Sequence, residues 1–191
     1  DRLKAEKRLP ADEVRRIAVA VADALVAAQA KGVFHGDLRP ASVILADDGS
    51  VRVTDFALGK VVSDYAAKAM AGGGGPKPKV AMYRAPEFLR TDLPDGKSDL
   101  FALGCLLYES ATGDRHFPDG YRASCGEPHK GYPYHDPCEA HGDLDPALSG
   151  LIRRLLAPNP ADRLPDAAAA AAALLGAAFE PANLLRPGEQ P

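Results

Sequence analysis

The residues best suited to chemistry lie around two aspartates. The first stretch reads His35-Gly36-Asp37-Leu38-Arg39-Pro40-Ala41-Ser42 and continues into the apolar Val43-Ile44-Leu45. The second stretch, further along the chain, reads Thr54-Asp55-Phe56-Ala57. The pattern predicts a tight polar loop, a short strand, a turn and a second strand that ends on an acid. Asp37 and Asp55 would then stand at the two ends of one hairpin-like unit.

A second set of potentially reactive side chains lies in the irregular segment 114–142, which is rich in proline, glycine and histidine. The set comprises Cys125, His129, His135, Cys138 and His141. These side chains are competent for a tetrahedral zinc site, but their spacing fits no standard zinc finger. Two other interpretations stay open: a disulfide between Cys125 and Cys138, or an ordinary loop that could contact a partner.

The composition indicates one domain or one large lobe of a larger protein. The chain has 191 residues, of which 46% are hydrophobic and 26% charged, enough for a packed core. The net charge of −3 gives no reason to expect nucleic acid as a partner. No apolar run approaches the roughly 20 residues of a membrane span. Three cysteines do not suggest a disulfide framework, so the cytoplasm is the expected location.

The termini suggest a piece of a longer product. The chain begins Asp1-Arg2-Leu3, without an initiator methionine or a visible signal peptide. The charged residues 1–9 are expected to finish a helix or connection that starts upstream. Residues 180–191 contain three prolines and are expected to fray.

Hydrophobic spacing predicts the helices that must position the two aspartates. The first runs from Ala11 to Lys31 and stops at Gly32, because its apolar residues recur every three or four positions. The most hydrophobic helix, Ser98 to Thr112, is expected at the centre of the domain. Asp145-Pro146 reads as the start of a third helix and Pro165-Asp166 as the start of a fourth, which carries the alanine run 167–173.

Two connections have distinct signatures. Asp47-Asp48-Gly49 predicts a hairpin turn between the strands 43–45 and 51–53. Between residues 58 and 82 the periodicity disappears, and Gly72 to Gly75 favour a mobile surface loop.

Five motifs in chain order resemble the large lobe of eukaryotic-type serine/threonine protein kinases, a family with bacterial members, over residues 1–179. The first two are the helix end Ala30-Lys31-Gly32-Val33-Phe34-His35 and the stretch from His35 to Leu45, here called the catalytic loop, with the Asp55-Phe56-Ala57 motif that follows it. The other three are Ala85-Pro86-Glu87, Asp99-Leu100-Phe101-Ala102-Leu103-Gly104, and Leu155-Leu156-Ala157-Pro158-Asn159-Pro160-Ala161-Asp162-Arg163. The resemblance implies an α+β fold: a mainly helical C-terminal lobe in which a short β-hairpin carries the catalytic loop and the Asp-Phe-Ala motif. Residues 180–191 would form a flexible tail.

The resemblance also implies a reaction, the transfer of the ATP γ-phosphate to a protein hydroxyl with Mg²⁺. Asp37 matches the residue that positions the acceptor and takes its proton. Arg39 replaces the usual lysine and keeps a positive charge near the phosphate. Asp55 matches the main Mg²⁺ ligand, and Ser42 replaces the asparagine that binds a second Mg²⁺.

Three matched positions have structural roles in the family. Glu87 is expected to form a largely buried ion pair with Arg163. Asp99 is expected to accept hydrogen bonds from the backbone of the catalytic loop.

Several departures leave the activity open. Gly36 replaces an arginine that contacts a phosphorylated loop, Ala57 replaces a glycine, and Val80 replaces a threonine near the catalytic acid. The chain also lacks the small-lobe signatures, which are a Gly-rich loop, a strand lysine and a helix glutamate, so alone it is not expected to transfer phosphate. The alternatives are a kinase active only in its intact parent, acting on a protein substrate, and a pseudokinase that binds a regulatory protein.

A third class, the small-molecule kinases, also uses His-Gly-Asp-Leu loops. The Ala85-Pro86-Glu87 triplet, the Asp99 helix start and Arg163 argue against it.

Overall fold

Helices form most of the regular structure in the computed structural model, which describes residues 2–57, 82–88, 93–115, 136–140 and 144–176. In chain order the elements are α1 (Arg2–Glu6), α2 (Ala11–Gln29), β1 (Val43–Leu45), β2 (Val51–Val53), α3 (Gly96–Thr112), α4 (Pro137–Ala140), α5 (Pro146–Leu155) and α6 (Ala167–Leu174). Short 3₁₀ turns cover Pro40–Ser42 and Pro160–Asp162. The predicted mainly helical α+β architecture with a small hairpin is confirmed for this part of the chain.

Helix α2 buries the face that its periodicity predicts. Its buried residues are Val14, Ile17, Ala18, Val21, Ala22 and Leu25, and this face packs against α3 and α6. The helix ends at Gln29, two residues before the predicted end, because the chain turns there: the amides of Lys31 and Val33 both donate to the carbonyl of Ala28. Gly32 has φ +69°, the left-handed conformation that lets the chain leave the helix toward the catalytic loop.

Helix α3 lies at the centre of the described core. Leu100, Phe101, Leu103 and Leu107 are all fully buried. A Cβ added at Gly104 would lie 2.9 Å from the Cβ of Leu155, so the glycine allows α3 and α5 to approach closely.

The start of α3 lies two residues before the predicted Ser98. Asp95 caps the helix by accepting the amide of Ser98 at 2.7 Å, and the Ser98 hydroxyl in turn accepts the amide of Asp95 at 2.9 Å. This capping box fixes the first turn, which carries Asp99.

Helix α5 begins at the predicted Pro146, and α6 begins at Ala167, directly after the predicted Pro165-Asp166. Asp145 accepts the amide of Ala147 with Pro146 in the first turn of α5, and Asp166 accepts the amide of Ala169 at the start of α6. The alanine run packs because its small side chains, among them Ala167, Ala170 and Ala171, lie buried in the core.

The hairpin pairs in antiparallel register, with Val43 opposite Val53 and Leu45 opposite Val51. Gly49 in the turn has φ +81°. The pairing places the residue before β1, Ser42, beside the residue after β2, Thr54.

Some predictions fall outside the described residues. They are residues 58–81 of the predicted loop 58–82, the C-terminal segment 180–191, and Cys125, His129, His135 and His141 of the zinc interpretation. None of the helices that the structure describes is both long and apolar enough to cross a membrane.

Candidate active site

The catalytic loop is anchored to the central helix through Asp99. The backbone amides of His35 and Gly36 donate to the two carboxylate oxygens of Asp99, each at 2.8 Å. Burial raises the pKa of Asp99 to about 6, although the two amides favour the charged carboxylate. Gly36 has φ +73°, a conformation in which its amide reaches Asp99 at little steric cost. The predicted contact between Asp99 and the loop backbone is therefore present.

Asp37 lies just beyond this anchor and is shielded from solvent. Its side chain is 9% exposed, and one carboxylate oxygen accepts Arg39 Nε at 3.1 Å. Burial raises the pKa of Asp37, while the charges of Arg39, Arg84 and His35 act in the opposite direction. The structure thus brings Asp37 and Arg39 together, with the arginine more exposed than the acid.

Ser42 has a different geometry from the one its predicted role suggests. It is 1% exposed, and its hydroxyl donates to the Arg39 carbonyl at 2.8 Å and accepts the Arg39 amide at 3.1 Å. These bonds close the 3₁₀ turn that follows Arg39. Coordination of Mg²⁺ by Ser42 stays a prediction, and it would compete with the bonds that shape the loop.

Backbone bonds place the Asp55 segment beside the catalytic loop. The amide of Thr54 donates to the Ser42 carbonyl at 2.9 Å, and the amide of Ala57 donates to the Phe34 carbonyl at 3.2 Å. The carboxylate of Asp55 is exposed and accepts the Thr54 hydroxyl at 3.3 Å.

His35 contacts both segments that carry the predicted site acids. The imidazole is fully buried, with its centroid 4.7 Å from the centroid of the Phe56 ring. Burial lowers the pKa of His35, and the charges of both Asp37 and Asp55 partly offset this effect. The Asp37 amide donates to His35 Nδ1 at 3.3 Å, and Phe56, which packs on the same ring, follows Asp55 directly, so the two predicted site acids lie in neighbouring segments.

The residue after the Asp55-Phe56 pair offers a test of backbone strain. Ala57 has φ +64°, a left-handed conformation that disfavours a residue with a Cβ. We expect Ala57→Gly to raise the free energy of unfolding by about 1 kcal/mol, because glycine removes that strain at a smaller entropic cost. Urea unfolding measures the change. As the matched control, Ala168→Gly at an exposed position inside α6 should lower the stability by about 1 kcal/mol, and a loss of stability in both variants would contradict the strain.

Glu87 and Arg163 form the predicted ion pair. The guanidinium of Arg163 is fully buried and donates to both carboxylate oxygens of Glu87. It also donates to the carbonyls of Ala157 and Lys97, each at 2.8 Å, and its Cζ lies 4.9 Å from the centroid of the Phe101 ring. The pair ties the segment 82–88 to α3 and to the turn after α5.

Sequence reasoning missed two further groups in the segment 82–88. Arg84 is 9% exposed, and its Cζ lies 4.8 Å from the centroid of the Phe88 ring. The hydroxyl of Tyr83 donates to Glu109 on α3, which also accepts Arg115 Nε at 3.3 Å. The available signal was an arginine directly before the Ala-Pro-Glu triplet, but its burial depends on long-range packing.

A cavity of about 390 Å³, lined mostly by apolar side chains, also borders the loop 35–42. Its lining includes Val43, Ile44 and Leu45 of β1, together with Leu106 of α3. Ile44 is 47% exposed, which is unusual for a large aliphatic side chain in a strand. The sequence pattern did not distinguish this open face from the rest of the hairpin.

The zinc interpretation gains no support. Among the described residues no group of three histidine, cysteine or acidic side chains comes together. Cys138 is a free thiol that donates to the Leu144 carbonyl at 3.2 Å, and burial raises its pKa, so the protonated form is favoured. Cys105, the other described cysteine, is also a free thiol.

The loop that carries Asp37 is anchored to α3, and the hairpin that leads to Asp55 lies beside this loop. This arrangement agrees with the protein kinase resemblance of the sequence. Comparison with known families agrees: the sequence model of the protein kinase domain matches residues 1–174, and the chain belongs to that family.

Bacterial serine/threonine kinases are among its relatives. The chain is 30% identical to serine/threonine-protein kinase PknB of Mycolicibacterium smegmatis over 162 residues, 81% of this chain and 25% of that protein. It is 30% identical to a probable serine/threonine-protein kinase PknB of Corynebacterium glutamicum over 171 residues, 85% of this chain and 25% of that protein. It is 31% identical to a probable serine/threonine-protein kinase of Corynebacterium efficiens over 167 residues, which are 83% of this chain and 24% of that protein. The chain therefore spans about a quarter of the length of these relatives.

Proposed function

We propose that this chain is the large lobe of a serine/threonine protein kinase, which transfers the γ-phosphate of ATP to protein hydroxyls when a small lobe completes the site. The observation that carries the proposal is that both segments with an acid contact the same buried histidine: the Asp37 amide donates to His35 Nδ1, and Phe56, the neighbour of Asp55, packs on its ring. Arg39 is bonded to the Asp37 carboxylate. The names of the relatives support the same class of reaction.

Asp37 would act as the proton acceptor for the substrate hydroxyl. Its carboxylate is desolvated, which strengthens its interactions with a bound hydroxyl and raises its pKa, and the nearby cations partly offset this rise. Arg39 donates to Asp37 and is 41% exposed, so its guanidinium can also face a transferring phosphate.

Among the residues of the site, Asp55 is the one whose chemistry fits a Mg²⁺ ligand. The carboxylate of Asp55 is exposed and bonded to a neutral hydroxyl, and Mg²⁺ is usually held by one or two carboxylates together with substrate phosphates. When bound, ATP with Mg²⁺ supplies the phosphoryl group. The cavity beside β1 offers an apolar surface, with Ile44 at its exposed edge, on which the adenine ring would pack.

We place the lobe at residues 1–179 and the segment 180–191 outside it. The signatures of a small lobe are missing from the sequence, so transfer is expected only in a protein that carries one. Such a protein would act on other proteins in the cytoplasm, where ATP is present and thiols such as Cys105 stay reduced.

The test is phosphate transfer by the parent protein that contains this lobe and a small lobe. Incubation with γ-labelled ATP, Mg²⁺ and a protein substrate should place label on serine or threonine, as identified by phosphoamino acid analysis. Label on small molecules alone, or no label from a folded protein that binds Mg-ATP, would contradict the proposal.

A pseudokinase that docks a regulatory protein is the second candidate. It is favoured by the Ser42 hydroxyl, which is engaged by the loop backbone, and by the left-handed Ala57. A thermal-shift titration with Mg-ATP on the same protein separates the two candidates, because a docking domain with a lost site would show neither a shift nor transfer.

A further inference from the structure

Arg84 has a fixed place under the catalytic loop. It directly precedes Ala85-Pro86-Glu87, a triplet held in place by the ion pair of Glu87 with the fully buried Arg163. Its guanidinium stacks on Phe88 with the Cζ 4.8 Å from the ring centroid, and the residue is 9% exposed. Such stacking orients a planar guanidinium and lowers its cost of burial. The charge is therefore held inside the lobe.

This buried charge shares a compartment with Asp37. A small cavity of about 10 Å³, roughly the room for one water molecule, is lined by Asp37 from the loop, Arg84 from the segment 82–88, and Ser98 and Asp99 from α3. Bulk water is largely excluded from so small a space. Charges that face each other across it are screened less than charges at the surface.

We propose that Arg84 is a positioning residue for Asp37: its buried guanidinium faces the Asp37 carboxylate across the small cavity and favours the charged form that accepts the proton of the substrate hydroxyl. The catalytic part of this inference rests on the proposed function. The electrostatic part, that Arg84 controls the ionisation of Asp37, stands without it.

The charges around Asp37 explain why a second cation is useful. From the loop itself, Arg39 and His35 face Asp37, while Asp99 on α3 adds a negative charge across the cavity. Burial raises the pKa of Asp37, and Arg39, Arg84 and His35 lower it. Arg39 is partly exposed and would be shared with a substrate phosphate, and burial favours the neutral form of His35. Arg84 is the buried cation of this set, so its charge on Asp37 is independent of the substrate.

The first test measures the ionisation of Asp37 in the 191-residue chain and needs no activity. Carboxyl ¹³C NMR follows the titration of Asp37, whose signal is assigned by its absence from Asp37→Asn. In Arg84→Met the midpoint should move to higher pH, and in Arg84→Lys it should stay near that of the wild type. The control is Arg153→Met, which removes an exposed arginine of α5 and should leave the midpoint unchanged.

An unchanged Asp37 midpoint in folded Arg84→Met overturns the proposal. If that variant does not fold, Phe88→Leu removes the ring that orients the guanidinium and should move the midpoint in the same direction by a smaller amount. An unchanged midpoint in Phe88→Leu then overturns the proposal equally.

The second test reads the consequence for catalysis in the parent protein with both lobes. Arg84→Met should lower kcat about tenfold near pH 6 and progressively less above pH 8, because a higher pKa of Asp37 depletes the base at acid pH. A uniform loss of kcat across pH would mean a structural role and overturn the positioning role. If the NMR midpoint moves as expected while the wild type transfers no phosphate, the proposed function fails and the electrostatic coupling remains.

Discussion

Replacing Asp37 with asparagine is expected to lower kcat for phosphate transfer by about 10²–10⁴-fold in the parent protein with both lobes. Asparagine keeps the size of the side chain and leaves an oxygen that can accept Arg39 Nε, so the loop keeps its shape. The amide cannot take a proton from the acceptor hydroxyl. Single-turnover kinetics with saturating Mg-ATP measure the chemical step directly, and the affinity for Mg-ATP should be nearly unchanged.

The matched control for this change is Asp47→Asn. Asp47 is an exposed acid in the hairpin turn of the same loop-and-hairpin unit, so it undergoes the same loss of charge away from the site. Its kcat should stay within about twofold of the wild type. Equal rates for wild type and Asp37→Asn would contradict the role of Asp37, and equal losses in both variants would point to a general effect of charge.

The local part of the fold could be predicted from the sequence because short-range chemistry determines it. The hairpin turn at Asp48-Gly49 and the Asp145-Pro146 helix start depend on residues within one or two turns of each other. The hydrophobic pattern alone predicts the start of α3 two residues late, at Ser98. The earlier start follows from Asp95, which caps the helix through the Asp-x-x-Ser spacing. Ser42 shows the limit of position matching: its hydroxyl satisfies the loop backbone, which its place in a motif does not reveal.

The long-range part of the site depends on packing that no local pattern encodes. The contacts of Asp99 with the loop and of Glu87 with Arg163 were expected from resemblance, since the partners are 64 and 76 residues apart. For Arg84, the family resemblance gave no expected contact. Its burial follows from the position of Phe88 and of the loop above it, both set by the assembled core. A lone arginine in a short segment without periodicity gives no sign of this from sequence alone.

Breaking the buried ion pair should have the largest effect on stability. Glu87→Gln is expected to lower the free energy of unfolding by about 3–5 kcal/mol, because it leaves the fully buried guanidinium of Arg163 without a compensating negative charge. The remaining carbonyl acceptors, at Ala157, Lys97 and Pro158, are neutral and cannot replace the carboxylate. Chemical unfolding of the 191-residue chain measures the loss. An exposed glutamate, Glu139 on α4, is the control, and Glu139→Gln should change the stability by less than about 0.5 kcal/mol.

A double-mutant cycle separates the pair from the other bonds of Arg163. Arg163→Met removes the charge together with the bonds to Ala157 and Lys97, so it should cost at least as much as Glu87→Gln. If the two side chains stabilise each other, the double variant should lose less than the sum of the single losses, with a coupling energy of about 1–3 kcal/mol. Strict additivity would mean that the carbonyl bonds and the stacking on Phe101, rather than Glu87, hold Arg163 in place. The attachment of the segment that carries Arg84 would then depend on the turn after α5 and not on the ion pair.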